Sequence, residues 1–274
     1  MPLSGLQDWL RLVLTYRAPH PASSAILETV ERLLDEPIRT SVLIHGEPGT
    51  GKEGLARGLH QAMHPGGSAP FVKMPTGGRD PEVLALHLFG TREHRGAVAR
   101  AEGGTLFLDE IATLPREIQA RLAPVLRGRY RRNDDEEPQP CSVVVMGATD
   151  HDLPKAISAG TFRHDLYYRL SRIELTIPPL RERPDDIPRA ALWAGNRLLD
   201  QHGYGQPLIR QADGHREVEG EAPLVLSEEA ITVLLTHNWP GNFRELDRAM
   251  ERALFLYRQG RSVDARAVQR ALGR

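Results

Sequence analysis

A chain of 274 residues with 40% hydrophobic and 26% charged content is long enough for one α/β domain with a small appendage, and apolar enough for a real core. The formal net charge of −1 offers no basic field for gripping nucleic acid, and a single cysteine, Cys141, excludes a disulfide framework, so a reducing cytoplasm is the expected compartment. No stretch reads as a signal peptide or a membrane span.

In chain order, Leu3, Leu6, Trp9, Leu10, Val13 and Leu14 have helical spacing without a long apolar run, so residues 1–22 read as a helical extension suited to docking. Strand signals follow at 42–45, 71–74, 106–109, 142–147 and 173–177, with helical segments between most of them. That alternation predicts a doubly wound parallel sheet. Between strands the sequence predicts helices at 54–63 and 111–126, and the charge block 127–137, basic then acidic around Asn133, predicts an exposed hairpin tip. After Pro178-Pro179 the character changes to amphipathic helices at 185–201, 227–237 and 242–258, a small all-helical unit with a solvated loop at 201–225 and a closing segment at 263–272.

The richest motif is Gly46-Glu47-Pro48-Gly49-Thr50-Gly51-Lys52-Glu53, set between an apolar strand and a helix. Glycines let backbone N–H groups point inward, and the helix start adds its positive end, so the segment predicts a phosphate-binding loop. Lys52 supplies the point charge for β- and γ-phosphates. Glu53 stands where a Ser or Thr usually meets Mg²⁺. Downstream, the buried-strand pattern Thr105-Leu-Phe-Leu108 ends in Asp109-Glu110. A carboxylate there can hold Mg²⁺ directly or through water, and its neighbour can activate the attacking water. Asp109 is the metal candidate and Glu110 the base. His60 and His64 are four apart on a helix but lack a third ligand, and Cys141 reads as a small buried hydrophobe.

Together with FRHDLYYRL from Phe162, PPLRERPDDI from Pro178 and NWPGNFREL from Asn238, these blocks resemble the AAA+ domain of bacterial enhancer-binding proteins, the sigma-54-dependent transcriptional activators. The resemblance covers about residues 23–272. It implies an AAA+ P-loop NTPase with an α/β nucleotide-binding subdomain at 23–183 and a helical lid at 184–274. It also implies ATP and Mg²⁺ as cofactors, and a ring of copies of the chain, a hexamer. Arg163 and Arg169 match the arginine fingers that reach a neighbour's γ-phosphate, Arg244 matches the lid sensor, and Glu after the loop lysine is usual in the family.

Departures qualify the match. The loop that touches sigma-54 in this family carries Gly-Ala-Phe-Thr-Gly-Ala, whereas here Leu88-Phe-Gly90 is followed by a short connection holding only Gly96-Ala97 of it. Pro75 stands where the family has an Asn that restrains the catalytic Glu, and Asp150 replaces an Asn that can donate to phosphate. No helix-turn-helix is recognisable, so direct sequence-specific DNA reading is not expected. The leading expectation is a ring-forming ATPase acting on a protein partner, transcription machinery being the natural candidate. The alternatives are a nucleotide-sensing assembly module with little hydrolysis, and a sigma-54 activator with a degenerate loop.

Overall fold

The computed structural model describes residues 38–203, 207–210, 223–256 and 262–273, together with 26, 28–32 and 35. The predicted extension at 1–22 and most of the predicted loop at 201–225 lie outside the described residues. The described chain divides into two compact units, one containing Gly51–Ile177 and strand β1, the other Pro178–Arg274 with the short segment Pro48–Thr50.

In the first unit the apolar runs become β1 (Val42–His45), β2 (Phe71–Pro75), β3 (Thr105–Asp109), β6 (Val144–Thr149) and β7 (Ile173–Thr176), with the short antiparallel pair β4 (Arg129–Tyr130) and β5 (Gln139–Pro140) between β3 and β6. The five longer strands form one parallel sheet in the order β2-β3-β6-β1-β7. Val42, Leu43, Ile44, Leu106, Phe107 and Leu108 are fully buried, as strands covered on both faces require. Each such side chain contributes about 1.5–3 kcal/mol by leaving water. The register brings His45 beside Thr149, Asp109 beside Ala148 and Pro75 beside Asp109, so the strands end together along one rim.

Helices α1 (Lys52–Met63), α2 (Pro81–Phe89), α3 (Ala97–Arg100), α4 (Arg116–Leu122), α5 (Leu153–Ser158) and α6 (His164–Leu170) connect the strands. The single helix predicted at 111–126 is instead broken: Ile111–Thr113 is a 3₁₀ turn, α4 starts after Pro115, and Val125–Arg127 is a second 3₁₀ turn after Pro124. Proline lacks the N–H an unbroken helix needs at each of those points. The predicted hairpin is present, framed by β4 and β5.

The second unit holds α7 (Asp186–Gln201), β8 (Leu208–Arg210), β9 (Leu224–Leu226), α8 (Glu228–Leu235), α9 (Asn242–Leu256), β10 (Ser262–Val263) and α10 (Ala265–Ala271). Helices predominate, yet the expectation of an all-helical unit missed a three-stranded parallel sheet in the order β10-β9-β8. Its strands are only two or three residues long, too short to show a period. Ser227 and Asp264 cap α8 and α10 by accepting from Ala230 N and Ala267 N. Trp239 is fully buried, and its indole N–H donates to Leu234 O at 2.8 Å. Within this unit, Phe243 N donates to Gly49 O at 3.0 Å and the Asn242 amide donates to Pro48 O at 3.1 Å. No described helix is long and apolar enough to cross a membrane.

Candidate functional site

Gly49 and Gly51 adopt φ values of 79° and 98°, a left-handed turn that side-chain-bearing residues rarely enter, and this lets the loop reverse into α1. Lys52, the first residue of that helix, folds back so that Nζ donates to Gly46 O at 2.6 Å and Glu47 O at 3.0 Å. Gly51 offers α1 no side-chain cap. A twelve-residue helix whose N-cap glycine brings no side chain, with a lysine ammonium beside it, is suited to an anion of phosphate type.

Beside the loop, β3 delivers Asp109 and Glu110 at the rim of the sheet. Glu110 is exposed and sits in the left-handed region at φ 63°, which turns its side chain out of the strand line at a cost of about 1 kcal/mol or more. Its backbone is held by residues that sequence reasoning did not single out. The Thr76 hydroxyl, in a residue only 2% exposed, contacts Asp109 O at 2.8 Å and Glu110 O at 2.7 Å, and Thr76 N donates to Asp109 O at 3.1 Å. Thr113 Oγ1 donates to Glu110 O at 2.8 Å.

Glu53 points to cations of this chain. Arg57 Nη2 reaches Oε1 at 2.8 Å and Lys73 Nζ reaches Oε2 at 2.5 Å, with Lys73 also 3.6 Å from Asp109 Oδ2. Burial alone would raise the Glu53 carboxyl, but the hydrogen bonds from Lys73 and Arg57 outweigh it and hold it below its ordinary value. Mg²⁺ favours hard oxygen donors, one or two carboxylates with the rest from phosphate and water. Asp109 fits that donor set, whereas Glu53 is already engaged by two cations.

The two candidate fingers lie on α6, away from this cluster in their bonding. Arg163 caps the helix, its N–H donating to Gln119 Oε1 at 2.8 Å, while its guanidinium grips Asp165 at 2.9 and 3.0 Å. Gln119 is fully buried, and its amide nitrogen donates to Leu114 O and Thr161 O, so the N-terminus of α6 is fixed. Arg169 makes no ion pair among the described residues, and its neighbour Tyr168 is 63% exposed. Arg244, on α9 of the second unit, is exposed. Asp150 lies beside His151 at 2.8 Å, and Pro75 ends β2.

The His60 and His64 rings lie 4.8 Å apart, tilted by 41°, His60 Nδ1 lies 2.8 Å from Thr105 Oγ1, and no group of three candidate metal ligands exists among the described residues. Burial, with the neighbouring His64, pushes the His60 imidazole down to about 4. Cys141 is buried, and burial raises its thiol to about 11.

The connection after Leu88-Phe89-Gly90 is closed tightly. Thr91 N donates to His94 O at 2.9 Å, Gly90 and Arg95 form an antiparallel bridge, and the chain enters α3 at Ala97. Gly90 and Gly96 lie back to back: a Cβ on either would fall 2.3 or 2.4 Å from the other's backbone nitrogen. The turn is stapled to the β4–β5 hairpin, with Asn133 N donating to Gly90 O at 2.9 Å, Arg92 N to Asp134 at 3.0 Å, and Arg92 Nε meeting Asp135 at 3.3 Å.

Comparison with known proteins places this geometry among relatives. Residues 17–176 match the family described as Sigma-54 interaction domain, and residues 206–274 match the AAA+ ATPase lid domain. The chain is 38% identical over 242 residues to the nitrogen assimilation regulatory protein NtrX of Azorhizobium caulinodans, covering 85% of this chain and 49% of that protein. It is 38% identical over 244 residues to the Sigma54-dependent transcriptional activator SfnR of Pseudomonas putida, covering 85% and 61%. A crystal structure of NtrX from Brucella abortus in complex with ADP superposes with a TM-score of 0.76 at 30% identity, over 96% of this chain and 56% of that one. The chain spans about half the length of the curated relatives it matches.

Proposed function

The chain belongs to the family of sigma-54 interaction domains of AAA+ type, and from that premise we propose that it binds ATP with Mg²⁺, hydrolyses it, and uses turnover to act on a protein partner as a self-assembled ring. What carries the reading is Lys52: its ammonium is drawn into the glycine loop at Gly46 O and Glu47 O, at the start of α1, whose N-cap glycine leaves room for a ligand. The β- and γ-phosphates of ATP replace those two carbonyls as partners of Lys52, and the backbone N–H groups of 46–53 take the remaining oxygens.

Asp109 would hold Mg²⁺, directly or through water, and the metal when bound neutralises charge on the phosphates. Glu110 accepts a proton from the attacking water. Arg163 and Arg169 act on a neighbouring copy's site, where a fixed guanidinium stabilises the phosphoryl in transfer. Arg169, which makes no ion pair among the described residues, is ready for this role. Arg163 must exchange Asp165 for phosphate. Arg244 reads nucleotide from the lid. We assign 1–22 as an extension, 23–183 as the nucleotide-binding subdomain and 184–274 as the lid, in a cytoplasmic hexamer.

The tight Thr91–His94 turn supports a partner other than sigma-54. A second reading, nucleotide sensing with little turnover, draws on Pro75 and on the Asp150 carboxylate held by His151. Calorimetry with ATP tests the assignment: wild type binds and Lys52→Ala does not. Equal affinity in both would remove the phosphate-loop reading, and a steady-state hydrolysis assay separates turnover from sensing.

A further inference from the structure

Lys73 lies where two carboxylates converge. Its Nζ is 2.5 Å from Glu53 Oε2 and 3.6 Å from Asp109 Oδ2. Those acids arise from separate elements, the second residue of α1 and the last residue of β3. In P-loop enzymes the same two places, the residue after the loop lysine and the carboxylate ending the strand, hold the divalent cation. Here both places carry an acid, and an ammonium of the chain itself lies between them.

The backbone explains why the lysine reaches this spot. Lys73 pairs with Phe107 in the sheet, two residues before the level of Asp109, so its side chain extends along the strand toward the rim. On Glu53 the other oxygen belongs to Arg57, so the carboxylate is fixed from both sides. An exposed ion pair by itself contributes little to stability. Two carboxylates facing a polyphosphate are a different matter, because like charges at that separation oppose binding unless a cation intervenes.

We propose that Lys73 is a built-in cation at the metal position, one that offsets Glu53 and Asp109, keeps divalent metal from settling there ahead of nucleotide, and lets the phosphates bind with little dependence on metal. The metal then arrives with the nucleotide, on Asp109. This inference rests on the ATP reading above for its ligand, and on the Glu53–Lys73–Asp109 geometry alone for its charge balance.

The test compares wild type, Lys73→Met and Lys73→Arg, each checked for an unchanged thermal midpoint. ATP affinity is measured in excess Mg²⁺ and in EDTA. Wild type and Lys73→Arg should differ by no more than about threefold between the two conditions, whereas Lys73→Met should bind about tenfold more weakly in EDTA and recover in Mg²⁺. A second arm titrates Mn²⁺ into nucleotide-free protein, followed by electron paramagnetic resonance. Lys73→Met should bind Mn²⁺ about tenfold more tightly than wild type, and adding Asp109→Asn should remove the gain. Identical metal dependence in wild type and Lys73→Met, unchanged Mn²⁺ binding, or a wild type whose ATP binding collapses in EDTA would each overturn the proposal. A wild type that binds no ATP under either condition would instead remove the nucleotide reading, and the Mn²⁺ arm would still decide the role of Lys73.

Discussion

The Thr76 hydroxyl lies 2.7 Å from the carbonyl oxygen of Glu110, in a residue only 2% exposed. Glu110 is held in a left-handed conformation by this contact and by Thr113. Loss of the hydroxyl should therefore loosen the aim of the carboxylate without touching the phosphate loop. Thr76→Val is expected to lower kcat about tenfold or more with ATP affinity unchanged, and Thr76→Ser to retain most activity. Equal kcat in Thr76→Val and wild type would leave Thr76 a packing residue only.

On the proposed trans role of Arg169, turnover should require assembly. The specific rate should rise with protein concentration. Arg169→Ala and Lys52→Ala, each nearly inactive alone, should recover activity on mixing, because the first keeps a loop and the second keeps a finger. A concentration-independent rate from a protein that stays monomeric with nucleotide in analytical ultracentrifugation would rule out action in trans.

Stability should fall between neutral pH and about pH 4. The folded-state value of His60, about 4, lies below its ordinary 6.5, so in that window the unfolded chain holds a proton that the folded chain refuses. The contribution is complete above 6.5, declines as pH drops, and is gone below about 4. His64 is shifted in the same direction by burial and adds to the effect. For a half-buried ring the change is discounted to about 1 kcal/mol. Urea midpoints at pH 7, 5.5 and 4.5 read it, and His60→Gln should flatten the slope.

Coupling to sigma-54 should be absent. The turn Thr91–His94 is bridged to itself and stapled to the hairpin, and it has no aromatic tip to anchor an interface. Trapped with ADP and a metal-fluoride transition-state mimic, the protein should elute from gel filtration apart from sigma-54. A stoichiometric complex would mean that another surface, such as residues 127–137, has taken over the contact.

What was legible in the sequence is what local pattern controls. The turn of Gly46–Glu53 into a helix was legible because glycines at that spacing admit the left-handed backbone it needs, and Thr105–Asp109 because a run buried on both faces is continuously apolar. Thr76 was not legible: its partner lies 34 positions away, and a lone threonine after a strand has no signature. Gln119, holding Arg163 across 44 positions, was hidden for the same reason. The Lys73 ammonium escaped notice because its meaning depends on where two other elements end. The predicted helix at 111–126 failed on information that was present, Pro115 and Pro124, whose veto on helix continuation outweighs apolar periodicity.

The bridge between Gly90 and Arg95 also bears on how such a chain changes over generations. Chain ends that meet across a single β-bridge form a socket, and a segment threaded into it need not disturb the sheet. Each doubling of such a segment's length costs only about 0.6 kcal/mol of closure entropy. An output arm can thus be fitted or removed at Thr91–His94 while the strands that carry Asp109 and Glu110 stay as they are. A change in that turn and a change in the strand ends are thus separable, and this chain presents the socket closed.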